Sequence, residues 1–271
     1  MPDGVTKISG AKPGPVLAIF AGLHGNEKAG IMALEELAPS LKISIGTLYL
    51  VIANPPAIKA NTRFVDKNLN RCFMKGNSGK SYEDNRAKEL MILLDKCDAL
   101  LDLHMFYDDS ALPFVICEDN ALDIAKKFDV PIISTNWTAV EPGAADGYMF
   151  QNGKVGICIE CGPISKALQY KDFAKKTLMQ FLRYYGMVAT AVEYSLASKR
   201  IVRAEKVVYK NSDGFRLAKG FHNFDSLGEG QLIATDKHKV YLAEAGQCII
   251  FPHYQAQIGE EAYIVGEEIG T

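Results

Sequence analysis

The chain has 271 residues, of which 48% are hydrophobic and 23% charged, and its formal net charge is −2. This balance is ordinary for a folded globular protein, and the lack of a basic surplus argues against nucleic acid or an anionic membrane as a partner. No apolar run approaches the roughly 20 residues of a membrane span, and the start has no apolar signal region, so we expect a cytoplasmic protein.

Short apolar runs alternate with helical patterns through the first two thirds of the chain. The run Val16–Phe20 ends in a glycine turn, and residues 28–38 then repeat apolar side chains at helical spacing. Strand-like runs follow at 46–53, 98–103, 113–117, 131–134 and 155–159, and helical patterns at 82–97, 121–128 and 166–191. This alternation predicts an α/β fold, a sheet with helices on both faces.

The pattern changes beyond about residue 196. Short apolar runs punctuated by Gly, Asp and Pro occur at 202–209, 231–234, 239–243 and 248–251, without a helix of convincing length. We therefore predict two domains, an α/β domain at 1–195 and a small β-rich domain at 196–271.

Two histidines and a carboxylate follow two of the predicted strands. His24 and Glu27 come after the first run, and His104 comes after the run at 98–103. The ends of parallel strands meet at one edge of a sheet, and two histidines plus one carboxylate are a ligand set for catalytic zinc. Asp98 and Asp102 could orient a ligand imidazole. The alternative is that His-x-x-Glu arises by chance and His104 only caps a strand.

Glu160 ends the run at 155–159 and would point to the same edge, where it could act as general base and then as proton donor to a leaving amine. The alternative is a solvated carboxylate. The loop at 61–71 contains Arg63 and Arg71, and arginine can fix a carboxylate or stabilise an oxyanion. Composition alone favours a solvated polar loop.

The six cysteines are scattered and mostly lie in apolar runs, which indicates reduced, buried thiols rather than a disulfide framework. Cys158 and Cys161 have Cys-x-x-Cys spacing, but no second pair exists to complete a zinc knuckle. A redox pair would usually open a helix, whereas this pair ends a β-rich run. We interpret both as structural.

Six short motifs together resemble the succinylglutamate desuccinylase/aspartoacylase family. They are His24-Gly-Asn-Glu27, Asn54-Pro-x-Ala57, Arg63-Phe-x-Asp66, Leu69-Asn-Arg71-x-Phe73, Asp102-Leu-His104 and Glu160-Cys-Gly-Pro163. They occur in the family's order, and jointly they are specific although each is weak alone. The resemblance implies a zinc-carboxypeptidase-like α/β domain with a mixed, mostly parallel sheet flanked by helices, and a small C-terminal all-β domain.

The resemblance also implies roles for individual residues. One zinc ion per chain would be held by the metal ligands His24, Glu27 and His104. Glu160 would be the general acid/base and Arg63 would polarise the scissile carbonyl, while Asn70 and Arg71 would hold the substrate's carboxylate. From the β-rich region we name Tyr254 as a candidate substrate contact.

Two departures from the family's pattern bear on the substrate. Asn68 stands where the family often has a second aspartate. Aspartoacylases carry an arginine several residues before the general base, but residues 148–154 contain only Lys154 as a cation. These departures put acetyl-aspartate and succinyl-glutamate in doubt as substrates.

We therefore predict a cytoplasmic zinc hydrolase that cleaves an amide bond of a small carboxylate-bearing substrate, with no nucleic-acid or membrane partner. The rivals are a zinc carboxypeptidase acting on a peptide and a catalytically silent, metal-bearing binding protein. A phosphate or nucleic-acid site at the Lys/Arg loop lacks the expected glycine-rich loop. The acyl group, the amine, the role of the β domain, a homo-oligomeric state and a metal other than zinc stay open.

Overall fold

The computed structural model describes residues 2–189, 193–195, 197–237 and 239–270. The strands are β1 (Val5–Ser9), β2 (Lys12–Ala21), β3 (Ile45–Ile52), β4 (Ala99–Phe106), β5 (Phe114–Cys117), β6 (Ile132–Thr135), β7 (Val155–Pro163), β8 (Arg200–Tyr209), β9 (Arg216–Leu217), β10 (Asp225–Ser226), β11 (Leu232–Asp236), β12 (Lys239–Leu242), β13 (Gln247–Ile250) and β14 (Glu261–Gly270). The α-helices are α1 (Lys28–Leu37), α2 (Pro55–Ala60), α3 (Tyr82–Leu94), α4 (Leu122–Ala125), α5 (Trp137–Val140), α6 (Ala145–Gln151) and α7 (Ala167–Tyr184). Short 3₁₀ turns lie at Leu69–Arg71, Asp119–Ala121 and Ile164–Lys166.

A large mixed sheet forms the centre of the fold, with strand order β1-β3-β2-β4-β7-β5-β6-β8-β14-β13-β10. The four strands β3, β2, β4 and β7 are mutually parallel, and every residue of β4 is buried. A strand covered on both faces needs apolar residues at successive positions, which explains why these strands read as continuous apolar runs. The predicted α/β class with a mostly parallel sheet is confirmed.

Helices cover both faces of the parallel strands. One apolar cluster joins buried side chains of α1 and α7 to the sheet, and a second joins those of α3 and α6 to the opposite face. The predicted helix at 166–191 is shorter in the structure, because α7 ends at Tyr184; residues 190 and 191 of that prediction lie outside the described residues.

The sheet continues into the C-terminal part of the chain. Strand β8 pairs in parallel with β6, and β14, β13 and β10 extend the sheet in antiparallel fashion. A separate antiparallel sheet contains β12, β11 and β9. After α7, all regular elements among the described residues are strands, as predicted. The predicted domain boundary falls at residue 196, which is outside the described residues, and the boundary stays a prediction.

Several elements were not predicted. The polar segment at 57–73 contains part of α2 and a 3₁₀ turn, and the segment between β6 and β7 contains α5 and α6. These helices have four to seven residues, too few for an apolar period to become visible. No helix in the described part of the chain has the length and apolar character needed to cross a bilayer.

Candidate active site

The polar residues at or just after the carboxyl ends of β2, β4 and β7 gather at one edge of the sheet. These strands are neighbours, and His104 on β4 lies directly opposite Glu160 on β7 in the parallel register. Asp102 lies two residues before His104, on the same face of β4. The expectation that these strand ends share one edge is confirmed.

The turn between β2 and α1 depends on glycine. Gly22 has φ +71°, a conformation that L side chains rarely adopt. At Gly25 the limit is space, because an added Cβ would lie 2.1 Å from the carbonyl carbon of Ala57. The tight approach fixes His24 and Glu27 on either side of Gly25, immediately before α1 begins.

The carboxylate of Glu27 lies between two imidazoles. Its Oε1 is 2.7 Å from His24 Nδ1, and its Oε2 is 3.1 Å from His104 Nδ1. The two rings are 5.0 Å apart, and all three side chains are buried. The backbone N–H of Met105 donates to Glu27 Oε2 at 2.9 Å, which further fixes the carboxylate.

The outer nitrogens of both histidines meet oxygen acceptors. His24 Nε2 is 2.9 Å from Asn68 Oδ1, and His104 Nε2 is 2.7 Å from Asp102 Oδ2. These partners favour the tautomer that has its proton on Nε2, which leaves the Nδ1 lone pairs facing Glu27. Asp98 does not orient an imidazole, because its Oδ2 accepts the backbone N–H of Val16 instead.

The donor set formed by His24, Glu27 and His104 fits a divalent metal ion. One ligand atom from each residue lies within 4.8 Å of the others, and two imidazole nitrogens with one carboxylate suit zinc. Burial lowers the pKa of His24 to about 4, so its imidazole is neutral. Burial would raise the pKa of Glu27, but the two histidines outweigh it and keep the group ionised. Against the effect of burial, Asp102 and Glu27 raise the pKa of His104.

Glu160 is a buried carboxyl group without a partner for one of its oxygens. Its Oε2 has no hydrogen-bond partner among the described residues. Burial, helped by Glu27 and Asp102, outweighs the opposite effect of His104 and Arg63 and raises the pKa of Glu160 to about 8. A carboxyl group in such a place can take up and release a proton near neutral pH.

The cysteines near Glu160 are ordinary buried thiols. All six cysteines of the chain are free and buried. Cys158 has its sulfur close to His104 and Glu160, but burial raises its pKa well above the ordinary value. Burial thus keeps the metal-free thiol protonated, as in a structural cysteine.

The loop after α2 brings Arg63 to Glu27. Its Nη1 donates to Glu27 Oε1 at 3.2 Å, and 37% of its side chain is exposed, so the guanidinium can also face a substrate. The carboxylate of Glu83 on α3 accepts the backbone N–H groups of three successive loop residues, at 2.8, 3.1 and 3.3 Å; they are Val65, Asp66 and Lys67.

Asn70 and Arg71 lie in the 3₁₀ turn that closes this loop. Asn70 is buried, and its Oδ1 accepts the backbone N–H of Ala145 at 3.0 Å. Arg71 forms ion pairs with two carboxylates, Glu141 and, at 3.6 Å, Glu261. Neither Glu141 nor Glu261 was predicted from the sequence as part of the site.

The side chains of Tyr254 and Lys154 form hydrogen bonds with backbone groups. The hydroxyl of Tyr254 donates to the carbonyl of Phe221 and accepts its backbone N–H, at 3.1 and 2.6 Å. Its role as a substrate contact stays a prediction. Lys154 donates to the carbonyl oxygens of Leu94 and Asp95, at 3.0 and 2.8 Å.

Residues 13–185 match the model of the succinylglutamate desuccinylase/aspartoacylase catalytic domain. A protein named probable aspartoacylase from Trichodesmium erythraeum is 27% identical over 176 residues, 59% of this chain and 60% of the relative. The chain thus matches about three fifths of that relative's length. A succinylglutamate desuccinylase from Pseudomonas aeruginosa is 28% identical over 96% of this chain and 86% of the relative.

Solved structures share the fold. Succinylglutamate desuccinylase from Vibrio parahaemolyticus superposes with a TM-score of 0.82 at 20% identity, covering 99% of this chain and 87% of the other. The product-bound ectoine utilization protein EutE from Ruegeria pomeroyi gives a TM-score of 0.76 at 24% identity, covering 97% and 88%. At these identities the likeness concerns the fold alone.

Proposed function

Because the chain belongs to the succinylglutamate desuccinylase/aspartoacylase family, we propose that it is a zinc-dependent hydrolase that cleaves an amide bond of a small carboxylate-bearing substrate, as an N-acyl amino acid deacylase does. The observation that carries the proposal is the buried group of His24, Glu27 and His104 beside the unpartnered carboxyl oxygen of Glu160. These three residues would hold one zinc ion, which supplies Lewis acidity and lowers the pKa of water.

Glu160 carries the proton transfers in this proposal. Its free Oε2 would accept a proton from the attacking water and pass it to the nitrogen of the leaving amine. A pKa raised by burial to about 8 favours both directions of transfer, since neither the acid nor the base form dominates strongly near neutral pH.

The two arginines act on different parts of the substrate. Arg63 is partly exposed beside Glu27, where its guanidinium would stabilise the negative charge that develops on the scissile carbonyl oxygen. Asn70 and Arg71 would bind the substrate's carboxylate. The names of the relatives, aspartoacylase and succinylglutamate desuccinylase, support removal of an acyl group from an amino acid.

We further propose a cytoplasmic location and two domains, 1–195 and 196–271.

The ligand assignment is tested by metal content. Purified His24→Ala and His104→Ala should contain far less than one zinc per chain, while His253→Ala, which changes an exposed imidazole in the C-terminal region, should keep the wild-type content. Stoichiometric zinc in both ligand variants would contradict the assignment.

The chemistry is tested with Glu160→Gln and a panel of N-acyl amino acids and short peptides. The variant should retain zinc and lose about 10²- to 10⁴-fold in kcat, the usual contribution of a positioned general base. Unchanged turnover would remove Glu160 from the mechanism. Release of C-terminal residues from peptides alone would favour a carboxypeptidase, and zinc without hydrolysis of any amide would favour a binding protein.

A further inference from the structure

Arg71 is surrounded by more negative than positive charge. Its Nη2 contacts the carboxylate of Glu141 and lies 3.6 Å from that of Glu261, and its Nη1 donates to the carbonyl of Asn70 at 2.8 Å. Arg63 and the buried Asp146 act on the same guanidinium in opposite directions, and Arg63 is itself paired with Glu27. One cation thus faces at least two carboxylates before any substrate arrives.

Glu141 is a fixed part of this site. It is only 5% exposed, and its Oε2 forms the ion pair with Nη2 of Arg71. The chain after it is packed against the arginine, because Gly143 has φ +93° and an added Cβ would lie 2.7 Å from the carbonyl oxygen of Arg71. The carbonyl of Gly143 accepts the N–H of Phe73 at 3.0 Å. The loop cannot withdraw Glu141 without breaking these contacts.

This charge distribution limits what the site can bind. A substrate carboxylate on Arg71 would share that cation with Glu141, and a buried carboxylate with an incomplete counter-charge is costly. A second carboxylate on the substrate would add to the repulsion. A cationic group on the substrate would instead restore the balance, because it could pair with Glu141 while the carboxylate binds Arg71.

We propose that the amine part of the substrate is a basic amino acid, whose ammonium or guanidinium group pairs with Glu141 while its carboxylate binds Asn70 and Arg71. The substrate class is therefore an Nα-acyl basic amino acid. Glu261, with 42% of its side chain exposed, contributes a weaker attraction from the C-terminal strand β14. This inference rests on the proposed deacylase function and narrows its substrate.

The test compares Nα-acetyl-ornithine, Nα-acetyl-lysine, Nα-acetyl-norleucine and Nα-acetyl-glutamate with the zinc-loaded protein. We expect kcat/KM for the better basic substrate to exceed that for the acidic one by about 100-fold. In Glu141→Gln the ratio of basic to neutral kcat/KM should fall by about 10- to 100-fold, because a charge-assisted bond is lost. The ratio should fall by about threefold in Glu261→Gln and stay constant in Glu267→Gln, an exposed position on β14.

Three results would overturn the inference. They are a preference for the acidic substrate, an unchanged ratio in Glu141→Gln with unchanged rates, and an unchanged ratio in Glu141→Gln with an equal gain for every substrate, which would make Glu141 a competitor of the substrate's carboxylate. If the panel is not hydrolysed, calorimetric binding of lysine, norleucine and glutamate decides: tighter binding of lysine supports the inference, and no preference overturns it. If the protein neither binds zinc nor hydrolyses any substrate, the proposed function itself is wrong, whichever of the three amino acids binds most tightly.

Discussion

The carboxylate of Glu83 should contribute several kcal/mol to the free energy of unfolding, because it fixes the loop that carries Arg63 and Arg71. It is fully buried, and each of its oxygens accepts two N–H groups: Oε1 from Val65 and the Asn54 amide, Oε2 from Asp66 and Lys67. In Glu83→Gln one oxygen becomes an NH₂ group, so two donors lose their acceptor. Hydrogen bonds to a charged group contribute about 1.5–3 kcal/mol each, which predicts a loss of about 3–6 kcal/mol in the free energy of unfolding.

Urea denaturation of the metal-free proteins measures this loss directly. The matched control is Glu89→Gln on the same helix, α3, because Glu89 is 56% exposed and pairs only with Arg86 in the part of the chain that the structure describes. Because Glu89 is the exposed member of the pair and the buried Arg86 keeps its hydrogen bonds to backbone carbonyls, we expect this control to cost about 0–1 kcal/mol. The zinc-loaded Glu83→Gln variant should also hydrolyse its substrate more slowly, because Arg63 and Arg71 lose their fixed positions.

A free energy of unfolding within about 1 kcal/mol of the wild-type value, in Glu83→Gln as well as in the control, would contradict this prediction. In that case the loop would be fixed by its other contacts, such as the hydrogen bond between the N–H of Gly25 and the carbonyl of Arg63. A loss of stability with unchanged turnover would separate the two consequences and show that the loop's position tolerates loosening.

Two further predictions concern buried carboxylates. Asp102→Asn should weaken zinc binding by about 10- to 100-fold in a chelator competition, because His104 loses a charged partner. The control Asp98→Asn should bind zinc like the wild type, since Asp98 pairs with the backbone of Val16. Equal zinc affinities in the two variants would contradict this prediction. Burial raises the pKa of Asp146 from 3.8 to about 6, so the stability that its protonated form contributes is present below about pH 4 and is lost as the pH rises through 6. Denaturation should therefore show that the free energy of unfolding of Asp146→Asn, relative to that of the wild type, is up to about 3 kcal/mol higher at pH 7.5 than at pH 4. The same difference between the two proteins at both pH values would refute the raised pKa of Asp146.

The sequence made the gathering of His24, His104 and Glu160 predictable for a simple reason. Each of them follows or ends an apolar run, and the runs of a parallel sheet must end at one edge. The helices that cover both faces could be predicted in the same way, from apolar spacing alone, except where they are shorter than about two turns.

The surroundings of Arg71 could not be predicted in this way. Glu141 lies between two short helices that have no apolar period, and Glu261 begins a strand that the punctuated C-terminal pattern did not reveal. Both reach Arg71 only because segments distant in sequence pack against the 3₁₀ turn. Tyr254, named as a candidate substrate contact from the β-rich region, has its hydroxyl bonded to the backbone of Phe221.

The parallel pairing of β8 with β6 bears on any attempt to shorten the protein. A fragment that ends at residue 195 would leave β6 as an uncovered edge, with the amide and carbonyl groups of Ile132–Thr135 open to pairing with another molecule. The same cut would remove Glu261 from Arg71. We therefore expect such a fragment to aggregate rather than to behave as a smaller enzyme. On this expectation, the last quarter of the chain keeps the rest soluble by covering the edge of β6.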